Sequence, residues 1–227
     1  MTLEELVAGI RKKEATESVL KEAFRQLGIL VPRGITLTEL PPALDLSFPV
    51  VLKVSDDKIL HKTEVGGVVT GIRNMDDLKS EFTSMRAKFP GSRFLVEEMV
   101  EGGLEMITGI VRDKNFGLCI MIGMGGIYTE LYGDVTFRLL PIDAADADDM
   151  IDEVSLGRFT GEGFRGIRAD RKSIVEFLLK ISEFGVASED FLEQLDLNPV
   201  KINYQKIYVL DAKLIKTKLP EQRRADS

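Results

Sequence analysis

From Arg93 to Gly123 the chain reads "RFLVEEMVEGGLEMITGIVRDKNFGLCIMIG". Three apolar, β-branched stretches follow one another here with only short polar breaks, and this run limits the fold more than any other feature. Helical and strand-like segments are mixed before it. That order suggests two α+β lobes rather than one evenly wound parallel sheet. "RFLVEEMV" and "GLEMITGIVRD", joined by "EGG", predict a hairpin. "FGLCIMIG" is apolar throughout, as a central strand covered on both faces would be. The break "KFPGSR" sets the boundary between a first lobe over 1–91 and a second over 92–220, with a polar tail over 221–227 expected to fray.

The helices announce themselves by spacing and caps. Thr2 and Glu5 form a candidate capping box ahead of Leu3, Leu6, Val7 and Ile10. A second helix carries Val19, Leu20, Ala23, Phe24 and Leu27, and Gly28 stops it. "FPVVLKVS" and "GGVVTGI" read as strands, and "LPPALDLS" as a proline-broken connector. Asn74 or Asp76 caps a helix with Leu78, Phe82 and Met85. Later come a helix with Met150, Ile151 and Val154, and another with Ile174, Phe177, Leu178 and Ile181 that Gly185 is expected to end. The glycine- and arginine-rich loop "GRFTGEGFRGIR" lies between them, and two strands, "FLEQLDLNPVKI" and "KIYVLDAKLI", follow.

Composition narrows the function. The 227 residues carry a net charge of -7, which argues against a nucleic-acid or anionic-membrane surface but permits a local basic site for a nucleotide. The single cysteine, Cys119, cannot form an internal disulfide, fits a reducing compartment, and is expected to be a buried small hydrophobe. No N-terminal export signal is visible and no apolar run approaches the ~20 residues of a membrane span, so a soluble cytoplasmic protein is expected.

Several residues are candidates for chemistry. Asp211 falls on the apolar face of its strand, where a carboxylate needs a partner. Asn198 and Asp196 on the neighbouring strand offer oxygen, the donor that Mg²⁺ prefers. Two solvated strand ends are the alternative. Glu97 and Glu105, read as cross-strand neighbours over the "EGG" turn, would repel unless a cation or a ribose diol lay between them, and an exposed hairpin face is the alternative. Lys53 at a strand end can neutralise phosphate as a point charge, or simply snorkel. The glycines of "GMGG", Gly123 to Gly126, let backbone approach an anion closely. His61, the one histidine, stands between Lys58 and Lys62. A neutral imidazole can accept a phosphoryl group and pass it on, whereas a plain surface histidine would do nothing.

The blocks "FPVVLKVSDDKILHKTEVGGVVTGI", "FLVEEMVEGGLEMITGIVRDKNFG", "IGMGGIYTELYGDVTFRLLPID", "GFRG" and "LDLNPV…VLDAK" resemble, in order, the nucleotide-binding beta subunits of the NDP-forming acyl-CoA synthetase family, relatives of the succinyl-CoA synthetase beta subunit. The resemblance runs from about Ser18 to Ile215. It implies an ATP-grasp fold, two α+β lobes with the nucleotide in the cleft between them. It implies ATP or ADP held by Lys53, with Glu97 and Val100 at the adenine and Glu105 near the ribose. It implies Mg²⁺ on Asn198 and Asp211, and His61 as the phosphoryl carrier. The partner it implies is a CoA-binding alpha subunit, in an alpha2beta2 complex.

The chain departs from the family pattern in its short connector over 38–47, in Gln194 where glutamate is more usual, and in the longer, more polar loop over 157–168. The function expected is ligation of a carboxylic acid to CoA, in an ADP-forming reaction run through phosphohistidine. Two rivals are an ATP-grasp ligase that makes an acyl phosphate directly, without histidine, and an ATP-sensing regulatory module without catalysis. The acyl group and the choice of adenine or guanine are left open.

Overall fold

The structure, a computed structural model, describes residues 2–12, 15–56, 59, 62–126 and 133–217. It divides into two units. One comprises residues 16–18 and 31–101, the other residues 1–15, 19–30 and those from 102 onward.

The smaller unit is built on an antiparallel sheet of β1 (Gly34–Leu37), β2 (Val50–Ser55), β3 (Val68–Ile72) and β4 (Arg93–Glu98), in the order β1-β4-β2-β3. Helix α3 (Met75–Lys88) begins where the Asn74 side chain accepts the Asp77 N–H at 2.9 Å, the cap that the sequence offers. Leu78, Phe82 and Met85 of this helix join Val50, Leu52, Val54, Phe94 and Val96 of the sheet in one buried core. Phe82 meets Phe94 edge to face at 5.0 Å between centroids. The connector also contributes, since Leu40, Leu44, Leu46 and Phe48 pack against that core.

The larger unit carries a six-stranded sheet of β5 (Leu104–Asp113), β6 (Gly117–Met124), β7 (Val135–Leu139), β8 (Leu192–Asn203), β9 (Lys206–Val209) and β10 (Lys213–Lys216). The order is β10-β8-β5-β6-β7, and β9 also pairs with β8. Its helices are α1 (Leu3–Lys12), α2 (Glu17–Gln26, whose first two residues belong to the smaller unit), α4 (Ala144–Glu153) and α5 (Arg171–Ala187). The capping box of α1 forms as expected: the Thr2 N–H donates to Glu5 at 2.9 Å and the Glu5 N–H to the Thr2 hydroxyl at 3.2 Å. No described helix is long and apolar enough to cross a membrane.

Three expectations are corrected here. The "EGG" hairpin does not form. β4 has β1 on one edge and β2 on the other, so no edge remains for β5, which pairs with β6 and β8 instead. The strand expected to open the second lobe therefore completes the first, and the division falls at 101/102 rather than 91/92. Second, Gly185 does not end its helix, which continues to Ala187. A Cβ on Gly185 would lie 2.5 Å from both Ile110 Cδ1 and Leu140 Cδ1, so this glycine admits a close approach of helix to sheet. Third, β6 is not covered on both faces among the described residues. Ile120 and Ile122 are buried, while Cys119 is only half-buried, in register with exposed Val111 on one side and exposed Leu139 on the other.

Candidate functional site

Lys53 lies in the middle of the smaller sheet's buried ladder, opposite Leu95 of β4. Its ammonium is 2.9 Å from Glu17 Oε1 and 3.1 Å from Glu97 Oε2, and all three side chains are less than one-tenth exposed. The other oxygen of Glu17 takes the ammonium of Lys62 at 2.5 Å. Burying three charges beside a fourth, half-buried one is tolerable only when they are mutually paired and hydrogen-bonded, and here two lysines meet two glutamates. The backbone makes room for this: a Cβ on Gly34, across from Glu97 on β1, would lie 2.6 Å from Glu97 Cγ.

Glu97 and Glu105 are not cross-strand neighbours. Glu97 belongs to the small sheet, whereas Glu105 stands on β5 opposite Lys201, whose ammonium is 3.4 Å away. The cross-strand pairing expected of the two glutamates does not form, because β4 pairs with β1 and β2 and β5 with β6 and β8. Val100 follows β4 in the smaller unit and is half-buried. Two glycines of "GMGG" have a packing reason: a Cβ on Gly125 would meet Glu105 main-chain atoms at 2.8 Å, and one on Gly123 the Asp134 carbonyl at 2.5 Å.

The register of the sheet relates Asn198 to Asp211. Val200 pairs with Val209, and Asp196 with Lys213, so both ladders on β8 keep the same offset. Asn198 therefore falls opposite Asp211, in the interval between β9 and β10. The interval has a local cause: Pro199 has no N–H to give the ladder. Its carbonyl still accepts the Leu210 N–H at 3.0 Å. Asn198 is exposed and Asp211 half-buried, and both present hard oxygen donors, the set that suits Mg²⁺. Among the described residues no three His, Cys, Asp or Glu side chains gather as a metal site, so a cation here would need ligand oxygens from elsewhere, such as a nucleotide's phosphates.

His61 lies outside the described residues. A hollow of about 960 Å³ opens beside α1 and α5, lined by Leu3, Val7, Ile142, Leu179, Val186 and Phe191 among others. None of the site residues borders it, and the paired oxygen donors and the lysine cluster are better guides to chemistry than its size.

A family model described as an ATP-grasp domain matches residues 10–215. The chain belongs to the ATP-grasp family. It is 34% identical over 210 residues to the acetate–CoA ligase (ADP-forming) II beta subunit of Pyrococcus furiosus, covering 86% of this chain and 88% of that one. It is also 34% identical, over 184 residues, to acetate–CoA ligase (ADP-forming) II of Archaeoglobus fulgidus, but spans only 26% of that relative's length and 81% of its own. Among solved structures, it resembles the acetyl-coenzyme A synthetase 1 of Candidatus Korarchaeum cryptofilum. The form in complex with coenzyme A and Ca-AMPCP gives a TM-score of 0.84 at 30% identity, covering 95% of this chain and 100% of that one. The form with Mg-AMPPCP, whose phosphohistidine segment points towards the nucleotide-binding site, gives 0.76 at 31% identity with the same coverage.

For an ATP-grasp chain of this kind, the residue that sequence reasoning missed is Glu17. It reads locally as an acid in the first turn of a helix, which the helix dipole alone would explain. Nothing in that pattern signals a buried contact with lysines 36 and 45 residues away.

Proposed function

We propose that this chain is the nucleotide-binding subunit of an NDP-forming acyl-CoA synthetase, moving a phosphoryl group between His61 and a nucleoside diphosphate. The overall reaction is acyl-CoA + ADP + phosphate = carboxylic acid + ATP + CoA. The observation that carries the reading is the common offset of Val200–Val209 and Asp196–Lys213 on β8, which aligns Asn198 with Asp211, in a chain whose relatives are ADP-forming ligases. The separate Pyrococcus beta subunit, matched over most of its length, favours a separate CoA-binding alpha partner, and an alpha2beta2 complex is the assembly we propose.

In this reading the partner carries the acyl phosphate and thioester chemistry and delivers a phosphoryl group to imidazole. At this chain the N–P bond of phospho-His61 breaks as a terminal oxygen of ADP bonds to phosphorus. The imidazole recovers a proton and ATP leaves. Lys53 supplies positive charge for the phosphates. Glu97 near the end of β4 and Val100 just beyond it line the adenine, and Glu105 lies near the ribose. Asn198 and Asp211 would hold Mg²⁺, which when bound neutralises charge on the phosphates in flight. Splitting the transfer through a histidine replaces one difficult displacement with two easier ones.

The test uses the chain with Mg²⁺ and ATP labelled in the γ-phosphate. Acid-labile, base-stable label on His61 is expected, and a His61→Asn variant should take up none. Reconstituted with its partner, a His61→Asn chain that turned over as fast as wild type would end this reading and favour direct acyl-phosphate chemistry. Tight ATP binding without turnover, whatever acid is offered, would favour a sensing role.

A further inference from the structure

The arrangement of Glu17 goes beyond a buried ion pair. One carboxylate holds two lysines, Lys53 on Oε1 at 2.9 Å and Lys62 on Oε2 at 2.5 Å. Lys53 has Glu97 as a second carboxylate at 3.1 Å. Lys62 is also fixed through its main chain. Its carbonyl accepts the Gly67 N–H at 2.6 Å, and the Gly67 carbonyl accepts the Val54 N–H at 2.9 Å, next to Lys53 on β2. A Cβ on Gly67 would lie 3.0 Å from that Lys62 carbonyl and 2.7 Å from Val54 Cγ1, so the turn closes this tightly only with glycine there. Two ammonium groups brought this close in a poorly solvated place repel strongly. A carboxylate with one oxygen on each removes the repulsion and sets their separation.

Two ammoniums at a fixed spacing suit a polyphosphate, whose successive phosphates each offer oxygens to a point-charge donor. We propose that Glu17 is a positioning residue that holds Lys53 and Lys62 as a paired receptor for the outer phosphates of a nucleoside di- or triphosphate. This rests on the nucleotide reading above and adds to it a second phosphate-binding lysine and the carboxylate that aims both. Lys62 follows His61 directly in the chain, so the same receptor puts a cation next to the proposed phosphoryl carrier in sequence.

The experiment compares binding of ATP and AMP, both with Mg²⁺, by titration calorimetry on the whole chain. Lys62→Met and Glu17→Gln are each expected to weaken ATP about tenfold while leaving AMP within about twofold. The double variant is expected to lose less ATP affinity than the sum of the two single losses, because the residues act as one unit. A merely structural role would lower AMP and ATP together. Either single variant binding ATP as wild type does, both nucleotides falling equally, or additive losses would overturn the proposal. If Glu17→Gln does not fold, Lys62→Met, which leaves Glu17 with Lys53 and Glu97, decides through its ATP-to-AMP ratio. A wild-type chain that binds neither nucleotide would instead sink the nucleotide reading and this inference with it. A wild-type chain that binds both, with unaltered variants, would sink this inference alone.

Discussion

Lys53 and Glu97 meet diagonally across adjacent strands of the small sheet, ammonium to carboxylate at 3.1 Å, with side chains 9% and 4% exposed. Removing one member of such a pair leaves a charge stranded in a poor solvent. Lys53→Met is therefore expected to cost about 3–5 kcal/mol of stability as well as nucleotide binding. Urea unfolding measures the first and calorimetry with ATP the second. A variant as stable as wild type would show that the pair is solvated in solution.

The oxygen donors on the large sheet should respond to the metal rather than to the nucleotide alone. In wild type, Mg²⁺ is expected to strengthen ATP binding relative to EDTA. Asp211→Asn should lose most of that increment while its circular dichroism stays unchanged. An intact increment in Asp211→Asn would remove Asp211 from the metal site.

The junction between the sheets turns on Gly103. It has φ +77, and a Cβ there would lie 2.4 Å from the Ile202 carbonyl oxygen. Its neighbour Gly102, at φ +67, would meet nothing within 4 Å. Gly102→Ala is expected to cost about 1–2 kcal/mol for the left-handed backbone alone. Gly103→Ala should cost that plus about 1–3 kcal/mol of crowding. Denaturant midpoints of the two variants give the comparison, and equal midpoints would refute it.

Arg171 joins α5 to α4, hydrogen-bonded to Asp148 and to both oxygens of Asp152. Those bonds to the guanidinium hold both carboxyls below their usual range. For carboxylates depressed in the folded state, the contribution to stability is complete above the ordinary carboxylate pKa and is lost as pH falls towards the depressed values. Arg171→Met should therefore lower the melting temperature at pH 7, and the gap to wild type should narrow below about pH 4. A gap independent of pH would point to lost packing instead.

Cys119 sits half-buried on the open face of the large sheet. Burial, helped by Asp113, pushes its thiol up from the ordinary value. Less thiolate at neutral pH means slower alkylation. Iodoacetamide labelling of the native chain is expected to lag behind that of the urea-unfolded chain at pH 7.5, with the lag shrinking as pH rises past 9.

Legibility followed the range of the interactions. The Thr2–Glu5 box and the Asn74 cap act over three residues, so their signals and their effects lie in the same short stretch. The strand expected over "KIYVLDAKLI" is split into β9 and β10, with Asp211 in the interval between them, because Pro199 on the facing strand interrupts the ladder and alternation along one strand carries no sign of that break. The "EGG" turn misled because its glycines suit a hairpin locally, while the competition for the edges of β4 involves β1 and β2, far away in sequence. Gly185 misled for a similar reason, since its lack of a side chain serves packing against Ile110 and Leu140 rather than helix termination. Glu17 gave no signal at all, because partner lysines on another element leave no periodic trace.

The interval 210–212 between β9 and β10 has a further consequence. From Lys206 to Ile215 the two strands keep one phase along β8, which shifts only between Ile215 and Lys216, so the spacer acts as a counter as well as a gap. Dropping one residue from it would swing Leu214 out to water and Lys213 in among the apolar side chains. Natural variants of this segment should therefore keep its length or change it by two residues at a time, even where the letters themselves drift.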